Sequence, residues 1–162
     1  VSDSVNIHVE GNFIYLNPSS YTYGYGSQTG IMLGDEQYNP PSEKITIINN
    51  IAYGNKRNFY WWRGVHGGGM SNVLISNNTF VNSVGISGVR MMQGDHKNVN
   101  FLNNIIQQEG DLPNIIVEEN SELKFSHNLW SKITTIVARS ENDEIGNPIF
   151  LKYVSKYTHI SY

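Results

Sequence analysis

The sequence contains no cysteine, little proline and no run of basic residues. The absence of cysteine excludes disulfide scaffolds and thiolate metal sites. Eleven basic residues are outnumbered by fourteen acidic ones, giving a net charge of −3, and neither a nucleic-acid-binding face nor a basic membrane-surface helix is expected. No apolar stretch approaches the roughly 20 residues of a membrane-spanning helix, so membrane insertion is not expected either.

Asparagine is the abundant residue, with 21 of 162 positions, and 15 glycines accompany it. Long polar tracts of this kind are typical of disorder. Here, however, Ile, Val, Phe, Tyr and Trp are spread evenly between the asparagines, and these residues favour strands, whereas Asn and Gly favour turns with positive φ. The composition therefore predicts many short strands joined by tight turns.

A repeat organises these strands. In five segments apolar residues lie five and three positions before an asparagine, which is the two-residue spacing of one strand face. Those asparagines are 38, 28, 26 and 24 residues apart: Asn12, Asn50, Asn78, Asn104 and Asn128. Periods of this length indicate a solenoid, in which each turn stacks its apolar face on the next.

Each repeat has room for three strands. A short apolar run follows each asparagine, and a third strand is predicted at 31–33, 59–62, 86–89, 114–117 and 135–137. The predicted fold is therefore an all-β, right-handed, single-stranded parallel β-helix of about five to six turns. It forms one domain over residues 1–162, with insertions near 21–30 and 35–42, and its aligned asparagines form a hydrogen-bonded ladder.

The main alternative fold is a leucine-rich repeat, which has a similar period and its own asparagine ladder. That repeat requires leucine at most core positions, and only 8 leucines occur in the whole chain. No segment between the repeats shows the 3.6-residue periodicity of a helix. The pattern therefore favours the β-helix.

Several motifs resemble those of right-handed parallel β-helix proteins of the pectate-lyase-like superfamily: 72–83 (NVLISNNTFVNS), 45–51 (ITIINNI), 101–105 (FLNNI), 125–130 (FSHNLW) and 146–150 (GNPIF). The resemblance implies a secreted or cell-surface protein related to polysaccharide lyases, glycoside hydrolases, epimerases, phage tailspikes and non-catalytic sugar binders. Members usually have more turns and an N-terminal cap, so the chain is expected to be a fragment of a longer β-helix. Fold alone does not select the activity.

The third strand and the turn after it hold the candidate catalytic residues. Arg63 and Arg90 occur 13 and 12 residues after their asparagines, which predicts nearly the same place on neighbouring turns. Two such guanidinium groups can bind a uronate carboxylate, as a lyase requires. The candidate bases are Tyr60, His66 and His96. The alternative is that both arginines are solvated or paired with Asp35, Asp95 or Glu118, which contributes little.

Sugar-binding and metal-binding residues are also predicted, each with an alternative. The candidate sugar-binding residues, whose rings or carboxylate can hold a sugar, are Trp62, Tyr21, Tyr23, Tyr25 and Glu118. The tyrosine-rich insertion is equally consistent with a packed lid over an open end. Calcium is a candidate cofactor through the oxygen ligands Asp35, Glu36 and Asp95, although no regular Asp-x-Asp loop is present and the pattern favours carboxylates that serve solubility. A glycosidase-type carboxylate pair has no clear motif.

Two functions are consistent with this sequence. The first is an extracellular carbohydrate-active protein that binds, and in the extended hypothesis cleaves, a polysaccharide along the outer groove that contains Arg63 and Arg90. The second is a non-catalytic structural, surface or filament-forming protein. The second rests on the unpaired backbone groups at solenoid ends, which can template end-to-end self-association.

Overall fold

The computed structural model describes residues 4–15, 28–35, 41–65, 68–118 and 122–150. Within them the chain winds through successive coils of short strands, and no α-helix occurs in these ranges. The first two coils contain β1 (Val5–Glu10), β2 (Phe13–Tyr15), β3 (Thr29–Asp35), β4 (Ser42–Ile48), β5 (Ile51–Tyr53) and β6 (Arg57–Arg63). The next two contain β7 (Met70–Ser76), β8 (Thr79–Val81), β9 (Val89–Met91), β10 (Lys97–Leu102), β11 (Ile105–Gln107) and β12 (Ile115–Val117). The remainder is β13 (Leu123–Ser126), β14 (Leu129–Trp130), a 3-10 turn (Ile136–Ala138) and β15 (Glu144–Ile145).

Every strand pairs in parallel with its counterpart one coil away, which builds three sheets along the axis. The first sheet has the order β1-β4-β7-β10-β13, the second β2-β5-β8-β11-β14-β15, and the third β3-β6-β9-β12. This arrangement confirms the predicted parallel β-helix. The third sheet has four strands and so limits the stretch enclosed by all three sheets to about three turns, fewer than the five to six predicted.

Two of the predicted third strands were wrong in detail. The segment 135–137 forms most of the 3-10 turn, and the strand expected at 86–89 begins only at Val89. The predicted insertion near 21–30 overlaps β3, because Thr29 and Gly30 already belong to that strand. Residues 16–27 and 36–40, which include most of the two predicted insertions, lie outside the described residues.

The core follows the two-residue periodicity of the strands. Ile45 and Ile47 of β4 lie in register with Val73 and Ile75 of β7, and all four are at most 1% exposed. Aromatic rings also stack through the interior, with Phe101 lying 6.3 Å from Phe80 and 5.5 Å from Phe125 between ring centroids. Like side chains therefore pile over one another inside the solenoid, as the repeat predicted.

A two-residue turn joins the first sheet to the second in every described coil. Its first residue has a positive φ between 54° and 68°, and it is Gly11, Asn49, Asn77, Asn103 or His127. Asparagine tolerates this left-handed conformation better than most residues, which explains the paired asparagines of the sequence. The second residue of each turn is the ladder asparagine.

The ladder asparagines are aligned and bonded to one another. The side-chain amides of Asn12, Asn50, Asn78 and Asn104 each donate to Oδ1 of the asparagine in the next coil, at 2.9 to 3.2 Å. Their backbone N–H groups donate to the same oxygens at 2.9 to 3.0 Å. These bonds satisfy polar groups that would otherwise be buried without partners, so the ladder predicted from the repeat is confirmed.

Candidate functional site

Three of the predicted site residues, Tyr60, Trp62 and Arg90, lie on the outer face of the third sheet. Phe59 and Trp61 are fully buried in the core, so strand alternation places Tyr60 and Trp62 on the outer face. The register pairs Tyr60, and not Arg63, with Arg90 of the next coil. Arg63 instead lies three positions further along β6, beside Asp35 of the preceding coil. The two arginines are thus about 10 Å apart along the strand direction, and their predicted equivalence was wrong.

Arg90 is paired with a carboxylate of the chain itself. Its Nε lies 3.1 Å from Oε1 of Glu118, and its Nη2 bonds to the same oxygen. Both side chains are partly exposed, at 23% and 29%, so the pair contributes little to stability. A substrate carboxylate would compete with Glu118 for the Nε–Nη2 edge of this arginine, and this contact agrees with the ion-pair alternative for Arg90.

Tyr60 lies between two guanidinium groups on this face. The Arg57 guanidinium is 4.5 Å from the centre of its ring, and that of Arg90 is 5.8 Å away. The Tyr60 hydroxyl donates to Sδ of Met92 at 3.1 Å. Burial raises the pKa of the Tyr60 phenol, and burial likewise lowers the pKa of Arg57. A phenol with a raised pKa stays protonated at neutral pH, which makes Tyr60 a poor general base.

His96 is buried and serves as a bridge between two stretches of backbone. Its Nδ1 accepts the Met70 N–H at 3.2 Å, and its Nε2 lies 3.1 Å from the Met92 carbonyl oxygen. One neutral tautomer, with the proton on Nε2, satisfies both bonds. The ring packs edge-on against Trp61, with centroids 5.5 Å apart. Both ring nitrogens are therefore occupied by backbone groups, and neither faces a substrate.

Asp35, a predicted calcium ligand, is fully buried. Its Oδ2 accepts the N–H groups of Gly68 and Gly69, the latter at 3.0 Å, so the glycine-rich bend is fixed to β3. Gly69 has φ +140°, and a Cβ there would lie 2.8 Å from the backbone of Asp95, so this close approach requires glycine. Within the described ranges no three acidic or histidine side chains form a metal-binding group.

Several predicted residues lie outside the described residues. They are Tyr21, Tyr23, Tyr25, Glu36 and His66. Their roles in binding, metal coordination and catalysis stay predictions.

A different surface, on the outer face of the second sheet, was missed by the sequence analysis. Phe13 and Tyr15 of β2 and Ile51 and Tyr53 of β5 point outward, with 51%, 55%, 44% and 39% of their areas exposed. Phe13 is in register with Ile51, and Tyr15 with Tyr53. These four residues are called the aromatic surface below. The signal was present in the sequence, because each pair flanks an inward-facing residue with the i, i+2 spacing of a strand.

The exposed rings of the aromatic surface are not continued at the equivalent positions of the next two coils. In the next two coils the Ile51 column continues with Thr79 and Ile105, which are partly buried. The Tyr53 column continues with Val81 and Gln107. Among the described residues of these two columns, exposed rings occur in the first two coils, where with Ile51 they form an apolar patch on the sheet face.

Polar groups lie on the chain next to this surface, across the two-residue turns. The Glu10 carboxylate, which is two residues before Asn12, accepts from His8 Nε2 at 2.8 Å and from Asn49 Nδ2 at 3.2 Å. These hydrogen bonds, from His8 first and Asn49 second, lower the pKa of Glu10. Exposed rings beside exposed hydrogen-bonding groups can hold an amphipathic ligand such as a sugar.

No family model, curated protein or solved structure matches this chain. The fold assignment therefore rests on the strand pairing described above. In the described residues no helix is long and apolar enough to cross a membrane.

Proposed function

We propose that the protein is an extracellular, non-catalytic glycan-binding β-helix, and that the aromatic surface is its binding site. The observation that carries the proposal is the exposure of Phe13 and Tyr15 on β2 together with Tyr53, which is in register with Tyr15, on the outer face of the second sheet. Aromatic rings offer large apolar area at low conformational cost, and their faces match the C–H faces of sugar rings. Tyr15 and Tyr53 lie on adjacent parallel strands about 4.8 Å apart, so the surface suits a short stretch of a glycan.

The absence of cleavage is part of the proposal, and contacts on the third sheet support it. Arg90 is engaged by Glu118, His96 by two backbone groups, and Tyr60 is buried with a raised pKa. A lyase needs a free cation for the substrate carboxylate and a base within reach of the proton. Binding on the second sheet requires neither, and the pectate-lyase-like superfamily includes sugar binders of this kind as well as enzymes.

The test is a panel of neutral and acidic polysaccharides scored for both binding and cleavage. Tyr15→Ala and Tyr53→Ala should each weaken binding about three- to tenfold, because each removes one stacking ring. Tyr53→Phe is the matched control that keeps the ring, and Arg63→Ala is the control on the third sheet. Unchanged affinity in the Tyr15→Ala/Tyr53→Ala double variant would refute the aromatic surface as the binding site. Loss of affinity in Arg63→Ala, with no loss in the tyrosine variants, would instead support the groove predicted from the sequence.

Cleavage is read in the same panel. A lyase product would show the ultraviolet absorbance of an unsaturated uronate, and a hydrolase product would show new reducing ends. We expect neither signal from any polymer that binds. Release of either product, together with its loss in Arg90→Ala, would overturn the non-catalytic assignment.

A further inference from the structure

One turn of the solenoid carries the acceptor triplet of N-linked glycosylation. This triplet is an asparagine, then any residue except proline, and then serine or threonine. Among the 21 asparagines, Asn17 and Asn77 are followed two positions later by a hydroxyl residue, and Pro18 occupies the middle position after Asn17. The segment Asn77-Asn78-Thr79 is therefore the one complete acceptor triplet in the sequence.

The two asparagines of this triplet have opposite environments. Asn77 is the first residue of the turn between β7 and β8, has φ +57° and is exposed. Its backbone N–H donates to the Leu102 carbonyl at 3.2 Å, but its side chain makes no hydrogen bond with the described residues. Asn78 is 1% exposed, and its amide nitrogen donates to three acceptors. The side-chain nitrogen of Asn77 can therefore carry a substituent, whereas that of Asn78 cannot without breaking the ladder.

The threonine of the triplet departs from its column on the second sheet. Thr79 lies on the outer face, because Phe80 next to it is fully buried in the core. In the other described coils the residue at this position of the column is apolar, and it is Phe13, Ile51, Ile105 or Leu129. The stacking of the coils therefore does not require a hydroxyl group at this position.

The neighbouring coils leave space for a bulky group on Asn77. The first residues of the adjacent turns, Asn49 and Asn103, lie about 4.8 Å away on either side and are exposed. Gly11 and His127, at the same turn position in the outer coils, are exposed as well. A group attached to Asn77 would therefore meet polar surface and solvent, and it would displace no residue of the core.

We propose that Asn77 is a site of N-linked glycosylation. The donor is an oligosaccharide joined to a lipid carrier through a diphosphate, and a transferase of the secretory route delivers it. Nδ2 of Asn77 forms a bond to the anomeric carbon of the first sugar and releases one of its two protons. The bond between that carbon and the diphosphate oxygen breaks, and the lipid diphosphate leaves with the bonding electrons. The attached oligosaccharide is a bulky, solubilising group on the surface of the turn.

This proposal rests on the extracellular part of the proposed function and is independent of glycan binding by the aromatic surface. The two sites are nevertheless close, because Thr79 is in register with Ile51 of the aromatic surface. An oligosaccharide on Asn77 would therefore begin one coil beyond the exposed rings.

The direct test is mass spectrometry of the protein isolated from the cells that produce it. Trypsin releases residues 64–90 as one peptide, which contains Asn77 and three other asparagines: Asn72, Asn78 and Asn82. Enzymatic removal of an N-linked glycan converts the modified asparagine to aspartate, and fragmentation of the peptide locates that residue. We expect the conversion at Asn77 and at none of the other three.

Matched variants of the full chain test the triplet itself, in cells that attach N-linked glycans to secreted proteins. Asn77→Gly removes the acceptor but tolerates the positive φ, and Thr79→Val removes the hydroxyl but keeps the branched shape that suits a strand. Both should lose the change in gel mobility that enzymatic deglycosylation causes. Thr79→Ser keeps a hydroxyl and should retain that change. Asn103→Gly, at the same turn position one coil away, is the control and should retain it too.

An unmodified Asn77 in the protein from its own source would overturn the proposal, and so would a glycan that persists in Asn77→Gly or in Thr79→Val. Thermal melts verify that each variant is folded. Polysaccharide binding is measured on the same samples, so the two proposals fail separately. A modified Asn77 in a protein that binds no polysaccharide refutes the aromatic surface alone, and an unmodified Asn77 in a protein that binds refutes the glycosylation site alone.

Discussion

Replacing one ladder asparagine should cost far more stability than replacing its neighbour in the same turn. Asn78 is 1% exposed, and its amide donates to Asn104 Oδ1, the Ile47 carbonyl and the Ser76 carbonyl at 2.9 to 3.1 Å. Its Oδ1 accepts two further bonds from Asn50, one of them from the backbone N–H. Asn78→Ala removes all five bonds and leaves the Asn50 N–H buried without a partner.

The magnitude follows from these contacts. An orphaned buried polar group costs about 1–3 kcal/mol, and each lost bond whose partner keeps another contributes less. We therefore expect Asn78→Ala to lower the free energy of unfolding by about 3–5 kcal/mol. Asn77 has the positive φ of the turn but is exposed, so Asn77→Gly should change stability by less than about 1 kcal/mol.

The assay is urea unfolding followed by tryptophan fluorescence, because Trp61 and Trp130 are both buried. Hydrogen exchange of the Asn50 N–H gives a local measure, and its protection should fall in Asn78→Ala and persist in Asn77→Gly. Asn12→Ala is a second control, because Asn12 is exposed and its Oδ1 accepts no hydrogen bond from the described residues. Equal costs for Asn78→Ala and Asn12→Ala, or an unchanged exchange rate at Asn50, would refute the reasoning.

Three further predictions test the turns and the outer faces. Gly11→Asn should leave the stability nearly unchanged, since Gly11 has φ +68° and no atom lies within 4 Å of an added Cβ. Gly69→Ala should lower the stability by about 2 kcal/mol or more, because its Cβ would contact the backbone of Asp95. Thermal melts compare the two variants. His96→Ala should cost about 2–4 kcal/mol in urea unfolding, because the Met70 N–H and the Met92 carbonyl both lose their partner. His8→Ala should raise the pKa of Glu10 more than Asn49→Ala does, because the hydrogen bond from His8 is the larger cause of the lowered pKa. NMR titration measures the difference. The stability that a carboxylate with a lowered pKa contributes is lost as the pH falls through that pKa.

The fold was predictable because a solenoid repeats its physical requirements at every coil. Each turn needs a residue that tolerates positive φ, followed by a side-chain amide that both donates and accepts hydrogen bonds. The adjacent pairs Asn49-Asn50 and Asn77-Asn78 meet both requirements. The ends of the solenoid were less predictable. Asp143 replaces the ladder asparagine in a segment that has an apolar residue, Ala138, five positions before it but Ser140 three positions before it, so its role appears only when Asn128 is seen to bond to it.

The register of the third sheet was not predictable by counting from the asparagines. Tyr60 lies ten residues after Asn50, whereas its neighbour Arg90 lies twelve after Asn78. The difference arises because the connection from β8 to β9 is longer than that from β5 to β6. Connections of variable length change the alignment of everything that follows them, so the predicted equivalence of Arg63 and Arg90 failed although a third strand was predicted in both coils.

These observations explain where function can lie in such a molecule. The residues at inward positions and at ladder positions are determined by the stacking of the coils, so a substitution there changes stability first. Outward positions carry no such requirement, so a departure from uniformity among them needs another cause. The column that begins with Tyr15 and Tyr53 continues with Val81 and Gln107 although the backbone is the same in all four coils. Stacking alone does not require exposed rings in the first two coils, and exposed rings carry a cost in water unless a ligand covers them. The change of side chain along one column of identical backbone is the reason we propose a binding surface in the first two coils.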